Sequence, residues 1–259
     1  MASTVSFEEP EQISDMKIEV ITFDFWDTLY PYTQPPRPKR WQCIQQALNS
    51  LEIIHINGDH ITTAMNKAWD TWNRIWLTEY RTPDAAEWLG FVLDEIGVTL
   101  PRTLFEKTVL AAQKVVLAEN TIPIDGTRNM LAKLSQDYRL GIISDTGLAD
   151  GQTSRALLEK DGLLPYFTSL IFSDEIGCSK PHSKIFYAAL TGLNAEPHQA
   201  IHIGDLRHND ISGALGVGMG AIRFAHIFDD QDTNYPEADA VIYNYTELEN
   251  ALNHMNALL

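Results

Sequence analysis

The chain has 259 residues, of which 44% are hydrophobic, and a formal net charge of −16. This length allows one large domain or a domain with an insert, and the hydrophobic content is sufficient for a packed core. The negative charge argues against a broad basic surface for nucleic acid or for an anionic membrane. Any anionic substrate therefore has to be held by a metal ion or by a few local cations.

Residues 1–16 are polar and acidic, and we expect them to form an N-terminal tail. No segment resembles a secretory signal, and no run approaches the roughly 18 apolar residues of a membrane-spanning helix. Two cysteines, Cys43 and Cys178, are too few for a disulfide framework or a zinc site. These features predict a globular, cytoplasmic protein with free thiols.

The first predicted strand ends at an acid. Residues 18–23 form an apolar, largely β-branched run that suits a strand buried on both faces of a parallel sheet, and Asp24 follows directly. In α/β sheets, ligands bind outside the carboxyl ends of the strands. Asp24 is therefore the first candidate for a functional residue.

The next segment, residues 31–121, has a different character. Residues 33–40 are rich in proline and basic side chains, and this composition predicts a non-helical linker. From Trp41 onward the apolar residues have helical spacing.

A stripe of three tryptophans, Trp69, Trp72 and Trp76, lies in this segment at helical spacing. Such a stripe more often serves packing than substrate binding. Part of the apolar surface nevertheless has to face the binding crevice, which favours a substrate with an apolar portion.

After residue 121, predicted strands alternate with predicted helices to the end of the chain. The predicted strands are residues 140–144, 170–173, 200–204, 221–224 and 240–242. Because the first strand precedes the helical segment and the others follow it, the pattern predicts a doubly wound parallel α/β sheet. Residues 17–30 and 122–259 would form this core, and residues 31–121 an all-α cap domain inserted after the first strand.

The ends of four predicted strands carry the chemistry. They offer Asp24, Asp27 and Thr28, then Ser144 and Asp145, then Lys180, and finally Asp205 and Asp210. Folding would bring Asp24, Asp205 and Asp210 together, and clustered carboxylates repel one another unless a cation lies among them. Mg²⁺ suits such oxygen ligands. Lys180 would supply a compact positive charge, and the Ser144 hydroxyl could bind an oxyanion.

The order of these motifs resembles that of the haloacid dehalogenase (HAD) superfamily, in its subfamily I with a helical C1 cap between the first two motifs. The matching motifs are residues 24–28, Ser144, residues 180–181 and residues 204–210. The resemblance implies that Asp24 is a nucleophile that forms a covalent aspartyl intermediate, with Ser144 and Lys180 as further catalytic residues.

The same resemblance implies a Mg²⁺ cofactor and a small-molecule substrate. The metal site would comprise Asp24, the backbone carbonyl of Trp26, Asp205 and Asp210, the last acting through a water molecule or by orienting Lys180. Substrate contacts are expected from Thr28, Ser144, Asp145 and Lys180. We expect no nucleic-acid or membrane partner, and a monomer or a homodimer.

One position departs from the pattern of the family's phosphatases. They have a second aspartate two residues after the nucleophile, which protonates the leaving oxygen, whereas this chain has Trp26. Tryptophan cannot transfer a proton at neutral pH, and losing a general acid-base costs about 10²- to 10⁴-fold in rate. Asp27 is adjacent, but on an extended backbone it would point to the opposite side. A second departure is Asp145, which adds negative charge where the family often has asparagine.

Three functions fit these residues. The first is a Mg²⁺-dependent phosphohydrolase for a small phosphorylated metabolite, slow or restricted to leaving groups that need little protonation, such as acyl phosphates. The second is a carbon–halogen hydrolase, since halide leaves without a proton; the family's dehalogenases, however, lack metal and the acids of the fourth motif. The third is a binding or regulatory role. Of two nearby histidines, His202 is expected in the core and His208 is a weak candidate for a replacement base.

Overall fold

A computed structural model describes residues 17–32, 37–118 and 121–258. Within these ranges six parallel strands form one sheet in the order β3-β2-β1-β4-β5-β6. The strands are β1 (Val20–Phe23), β2 (Arg139–Ser144), β3 (Phe167–Phe172), β4 (Ala200–Gly204), β5 (Gly220–Phe224) and β6 (Ala240–Ile242). The predicted doubly wound α/β fold is confirmed.

The regular structure described between β1 and β2 consists of helices. They are α1 (Arg37–Ser50), α2 (Gly58–Glu79), α3 (Ala85–Glu95), α4 (Arg102–Gln113) and α5 (Val115–Ala118). Helix α6 (Thr127–Leu134) follows them and also precedes β2, and the helices after β2 are α7 (Gly151–Lys160), α8 (Ser173–Ile176), α9 (Ser183–Leu193), α10 (Ser212–Val217) and α11 (Leu248–Leu258). None of these helices is long and apolar enough to cross a membrane.

The linker predicted for residues 33–40 is wrong at its C-terminal end, because α1 already begins at Arg37. Pro38 lies in the first turn of that helix, where backbone N–H groups have no intrahelical acceptor and proline is tolerated. Residues 33–36 of the predicted linker and the predicted tail, residues 1–16, lie outside the described residues.

Strands β1 and β4 are neighbours at the centre of the sheet, and their apolar side chains form its core. Ile21 pairs with Ile201 and Phe23 with Ile203, and all four side chains are fully buried in one cluster. The backbone N–H of Asp24 still donates to the carbonyl of Ile203 at 2.8 Å. The sheet thus fixes Asp24 directly beside the end of β4, where a doubly wound sheet forms its ligand crevice.

Helices α1 to α4 share an apolar cluster of their own, which includes Trp88 and Leu148, the latter from the loop after β2. Three polar contacts also join the two parts of the chain. Trp76 hydrogen-bonds to Asp145, the N–H of Ser179 donates to the carbonyl of Tyr80, and the hydroxyl groups of Thr82 and Ser173 lie 2.6 Å apart. The helical segment therefore lies against the carboxyl end of the sheet. The boundaries of a separate cap domain stay a prediction.

Candidate active site

The acid that follows β1 forms a buried ion pair with a lysine that precedes α9. Nζ of Lys180 lies 2.5 Å from Oδ1 of Asp24 and 2.5 Å from Oδ1 of Asp210. Lys180 is only 2% exposed, and both aspartates are buried as well. Folding thus brings together the predicted nucleophile, the predicted cation and one predicted metal ligand.

Burial and neighbouring charges change the pKa values of these three groups. Burial raises the pKa of Asp24 to about 7, although Lys180 opposes the change. Burial also acts to raise the pKa of Asp210, but Lys180 and His202 outweigh it and hold that pKa below its usual range. For Lys180, burial lowers the pKa, but the carboxylates of Asp210 and Asp24 outweigh burial and raise it. The lysine therefore stays protonated beside an ionised Asp210.

Asp210 is also held by β1 and β4. Nε2 of His202 lies 3.1 Å from Oδ1 of Asp210, and Nδ1 of His202 lies 2.9 Å from Oγ1 of Thr22. The N–H of Leu206 donates to Oδ2 of Asp210 at 2.9 Å. His202 is fully buried, which lowers its pKa, and it is the core histidine that the sequence predicts. Both oxygens of Asp210 consequently have partners.

Asp205 completes a cluster of three carboxylates. Oxygen atoms of Asp24, Asp205 and Asp210 lie within 4.8 Å of one another. Among the described residues, no hydrogen bond or ion pair reaches the Asp205 carboxylate, although the residue is only 5% exposed. Burial, Asp210 and Asp24 raise its pKa well above the usual value. Three buried carboxylates beside one ammonium group form an oxygen-rich site that fits the predicted Mg²⁺.

Asp145 connects the second and third motifs to the helical segment. Its Oδ1 accepts a hydrogen bond from the N–H of Lys180, and its Oδ2 accepts one from Nε1 of Trp76, both at 2.9 Å. Burial raises the pKa of Asp145 to about 6. Nδ2 of Asn209 donates to the carbonyl of Lys180 at 2.9 Å and lies 3.3 Å from Oδ2 of Asp145. Sequence reasoning missed Asn209, although its position beside Asp210 in the fourth motif was a usable signal.

A cavity of about 370 Å³ opens onto the carboxylate cluster. Asp24, Lys180, Asp205 and Asp210 line one part of it, together with Asp145. Helix α2 lines another part with the tryptophan stripe, Trp69, Trp72 and Trp76. Further lining residues are Tyr32, Arg40, Val116, Leu148 and Phe228.

The tryptophan stripe packs within the protein and also lines the cavity. The ring centroids are 5.6 Å apart for Trp69 and Trp72, and 5.5 Å apart for Trp72 and Trp76. Trp72 is buried, and its Nε1 donates to the carbonyl of Pro83 at 2.8 Å. The expectation of packing holds for these contacts, but all three rings also line the cavity, so packing alone does not describe them.

Trp26 and Asp27, the two residues weighed from the sequence for proton transfer, both line the cavity. Trp26 packs edge-on against Phe25 and Tyr32, with centroid distances of 4.9 and 5.8 Å. Asp27 has a φ of +54°, so the sequence argument from an extended backbone is wrong at this residue. Aspartate is among the residues that enter this left-handed region most readily. The Asp27 carboxylate accepts a hydrogen bond from the N–H of Tyr32 at 2.7 Å, and burial raises its pKa.

Three candidates from the sequence are not among the residues that line this cavity. Ser144 is fully buried, with its hydroxyl 3.5 Å from the carbonyl oxygen of Asp145. Thr28 is fully buried too, and its Oγ1 has no hydrogen-bond partner in the described part of the chain. The ring of His208 lies against that of Tyr235, with centroids 4.4 Å apart. Substrate contacts of Ser144 and Thr28 stay predictions.

The sequence matches a known family over most of its length. The sequence profile of the haloacid dehalogenase-like hydrolase family matches residues 23–224, which is most of the chain. The chain belongs to this family of hydrolases. The superfamily and the class of enzyme predicted from the motifs are thereby confirmed.

Two curated relatives carry phosphatase activities in their names. A glyceraldehyde 3-phosphate phosphatase of Pyrococcus furiosus is 35% identical over 136 residues, which cover 51% of this chain and 55% of that protein. The pyrimidine 5′-nucleotidase YjjG of Escherichia coli is 34% identical over 104 residues, which cover 40% of this chain and 45% of that protein. The chain thus spans about half the length of these relatives.

Solved structures of the family share the whole fold. The 2-haloacid dehalogenase of Pseudomonas syringae has a TM-score of 0.64 at 22% identity, over 92% of this chain and 99% of that one. The HAD-hydrolase YfnB of Bacillus subtilis, solved with magnesium bound, has a TM-score of 0.63 at 18% identity over the same shares. At such identities the likeness establishes the fold.

Proposed function

We propose that this protein is a Mg²⁺-dependent phosphohydrolase that acts on a small phosphorylated metabolite through an aspartyl-phosphate on Asp24. The observation that carries the proposal is the buried cluster of Asp24, Asp205 and Asp210, in which Lys180 is the ion-pair partner of two carboxylates and Asp205 has none among the described residues. A phosphoryl group can approach so many carboxylates only if a cation compensates their charge. The two phosphatase relatives support this activity.

Asp24 and Asp205 are the carboxylates that we expect to hold Mg²⁺, together with the backbone carbonyl of Trp26. Both oxygens of Asp210 already have partners within the protein, so Asp210 would act through a water molecule or by orienting Lys180. When bound, Mg²⁺ would neutralise charge on the transferring phosphoryl group.

Asp24 would attack phosphorus, and the bond from phosphorus to the leaving oxygen would break. Lys180, 2.5 Å from Oδ1 of Asp24, would favour the ionised nucleophile and stabilise charge on the phosphoryl oxygens. Buried Ser144 and Thr28 would offer hydroxyl groups to those oxygens after a local adjustment. Water would then hydrolyse the aspartyl-phosphate and restore Asp24. Because Trp26 carries no transferable proton, and because the N–H of Tyr32 holds the carboxylate of Asp27, the leaving group would depart as an anion.

We also propose that residues 31–121 act as a cap domain that closes the cavity over the substrate. The contact of Trp76 with Asp145 and that of Tyr80 with Ser179 would hold the closed arrangement. Closure excludes water and strengthens electrostatic interactions in the site.

Phosphate release tests the proposal directly. Purified protein would be incubated with Mg²⁺ and a panel of small phosphate esters and acyl phosphates, with and without a chelator. We expect turnover that the chelator and Asp24→Asn both abolish, because the substitution removes the nucleophile. Asp94→Asn, on an exposed position of α3, is the matched control and should retain wild-type turnover. Equal phosphate release by wild type and Asp24→Asn would contradict the proposal.

A carbon–halogen hydrolase is the second candidate, and the indole of Trp26 in the cavity favours it, since halide leaves without a proton. Halide release from 2-haloacids tests it. Chelator should leave such a reaction unchanged, because attack by Asp24 on carbon needs no metal. If neither phosphate nor halide is released, a binding role remains.

A further inference from the structure

We propose that the leaving group is a phenol, so that the enzyme hydrolyses aryl phosphates in preference to alkyl phosphates. This inference rests on the proposed phosphohydrolase function and names its substrate class. Two features of one cavity carry it. The first is the tryptophan stripe of α2, Trp69, Trp72 and Trp76, which forms one wall of the cavity and is called the tryptophan wall below. The second is the indole of Trp26, which stands where a proton donor would be needed for an alcohol to leave.

The tryptophan wall is held in place by the protein and presents apolar ring surface. Nε1 of Trp72 donates to Pro83, and Nε1 of Trp76 donates to Asp145, at 2.8 and 2.9 Å. These two indole N–H groups are therefore already engaged within the protein. The rings remain for contact, and aromatic rings pack best against other aromatic rings in edge-on or offset arrangements. A planar aromatic group is the ligand that such a wall favours.

The size of the cavity agrees with an aryl phosphate. An apolar cavity of about 150 Å³ is large enough for benzene. The cavity here, about 370 Å³, therefore has room for one or two rings beside a phosphoryl group at the carboxylate cluster. The further walls, which include Tyr32, Leu148 and Phe228, are largely apolar.

The chemistry at Trp26 points to the same class. A phenol has a pKa of about 10, whereas that of water, as a guide to a simple alcohol, is about 15.7. In the reaction, Asp24 forms a bond to phosphorus, the bond from phosphorus to the aryl oxygen breaks, and phenolate leaves with the electron pair and takes its proton from solvent. Water then adds its oxygen to phosphorus and loses one proton, which frees Asp24.

Small acyl phosphates and nucleoside monophosphates satisfy only one of the two features. An acyl phosphate has a leaving group that needs no proton, but a small one brings no ring to the wall. A nucleoside monophosphate brings a ring, but phosphorus is bonded to a sugar hydroxyl that needs an acid. An aryl phosphate satisfies both features at once.

Two matched pairs of substrates separate the features. Phenyl phosphate and benzyl phosphate both contain a ring but differ in the leaving group, and we expect kcat/KM to differ by about 10²-fold or more in favour of phenyl phosphate. Benzoyl phosphate and acetyl phosphate have similar leaving groups but differ in the ring, and we expect about tenfold or more in favour of benzoyl phosphate. A ratio near one in either pair would overturn the inference. Release from none of the four above that of Asp24→Asn would instead overturn the proposed function.

Variants of two tryptophans test the wall. Trp69 is half-buried, and its Nε1 has no hydrogen-bond partner among the described residues, so Trp69→Leu removes only ring contacts. We expect the benzoyl to acetyl ratio to fall several-fold, towards one. Trp41→Leu is the matched control, since Trp41 belongs to α1, donates to the carbonyl of Gly58 at 3.3 Å and does not line the cavity. It should leave the ratio unchanged. Circular dichroism would verify folding of both variants, and equal ratios in both would refute a role of the wall.

Trp26→Asp tests the proton chemistry. It places a carboxyl group two residues after the nucleophile, and we expect turnover of benzyl phosphate to rise, so that the phenyl to benzyl ratio falls by about 10²-fold. Trp26→Leu removes the indole without adding an acid and should preserve the ratio. If Trp26→Asp folds and leaves the ratio at the wild-type value, the absence of an acid at this position does not select the leaving group.

Discussion

The ammonium group of Lys180 is the positive charge on which the buried cluster depends. Lys180→Met removes this charge and keeps most of the length and apolar volume of the side chain. In the wild type, Nζ lies 2.5 Å from a carboxylate oxygen of Asp24 and of Asp210, and Lys180 is 2% exposed. The substitution therefore leaves two buried carboxylates without their counter-charge.

Removing one partner of a buried ion pair costs about 3–5 kcal/mol of unfolding free energy. The loss is smaller where a carboxylate can take up a proton instead. The pKa of Asp24 is already raised from 3.8 to about 7, and without Lys180, which lowers it, it would rise further. An acid whose pKa is higher in the folded state binds a proton on folding. The unfolding free energy that this acid costs is therefore zero below about pH 4, and the cost grows as the pH rises towards and through the folded-state pKa. We therefore expect a larger loss at about pH 8 than at about pH 6.

Urea unfolding of wild type and variant at these two pH values, with a chelator present, measures the difference. Lys184→Met is the matched control, because Lys184 is exposed at the start of α9 and its Nζ donates to the carbonyl of Ile176, its one hydrogen bond among the described residues. Its effect should stay within about 0.5 kcal/mol. A loss for Lys180→Met below about 1 kcal/mol at the higher pH, or an equal loss at both, would refute the reasoning.

Three further variants probe the remaining contacts. Mg²⁺ should raise the melting temperature of the wild type but not that of Asp205→Asn. Without metal, Asp205→Asn should be at least as stable as the wild type, because the substitution removes a buried charge. Scanning fluorimetry measures both melting temperatures. Gly204→Ala would place a Cβ 2.3 Å from Cγ of Asp210. We therefore expect urea unfolding to show a loss of about 1–3 kcal/mol of unfolding free energy, and assays to show a lower kcat. Wild-type values for both would contradict this packing. Trp76→Phe removes the N–H that donates to Asp145 and should cost about 1–3 kcal/mol, while an unchanged unfolding curve would show that the hydrogen bond contributes nothing.

Local signals in the sequence are enough to identify the sheet and the order of the site residues. A buried parallel strand is a short apolar run, and an acid directly after it has to lie at the sheet's carboxyl edge. For this reason the strand pattern alone predicts that Asp24, Lys180, Asp205 and Asp210 lie together. The strand predicted for residues 200–204 has the same bounds in the fold, Ala200–Gly204.

Contacts between distant segments could not be read from local patterns. Helical periodicity shows that Trp69, Trp72 and Trp76 share a face, but it does not show that this face meets a cavity of the sheet. Trp76 and Asp145 are separated by 69 positions, and only the packing of the helices against the sheet brings them within 2.9 Å.

The sequence by itself thus determined the family, the sheet and the acids and lysine of the site, because these depend on local hydrophobic pattern and on the common direction of parallel strands. The tertiary structure alone decided which side chains line the cavity. Asp27 shows the reason at the scale of one residue: its N–H is bonded to the carbonyl of Tyr30 in a tight turn, and this turn gives it a φ of +54° and a place in the cavity. An alternating pattern along an extended strand contains no information about such a turn.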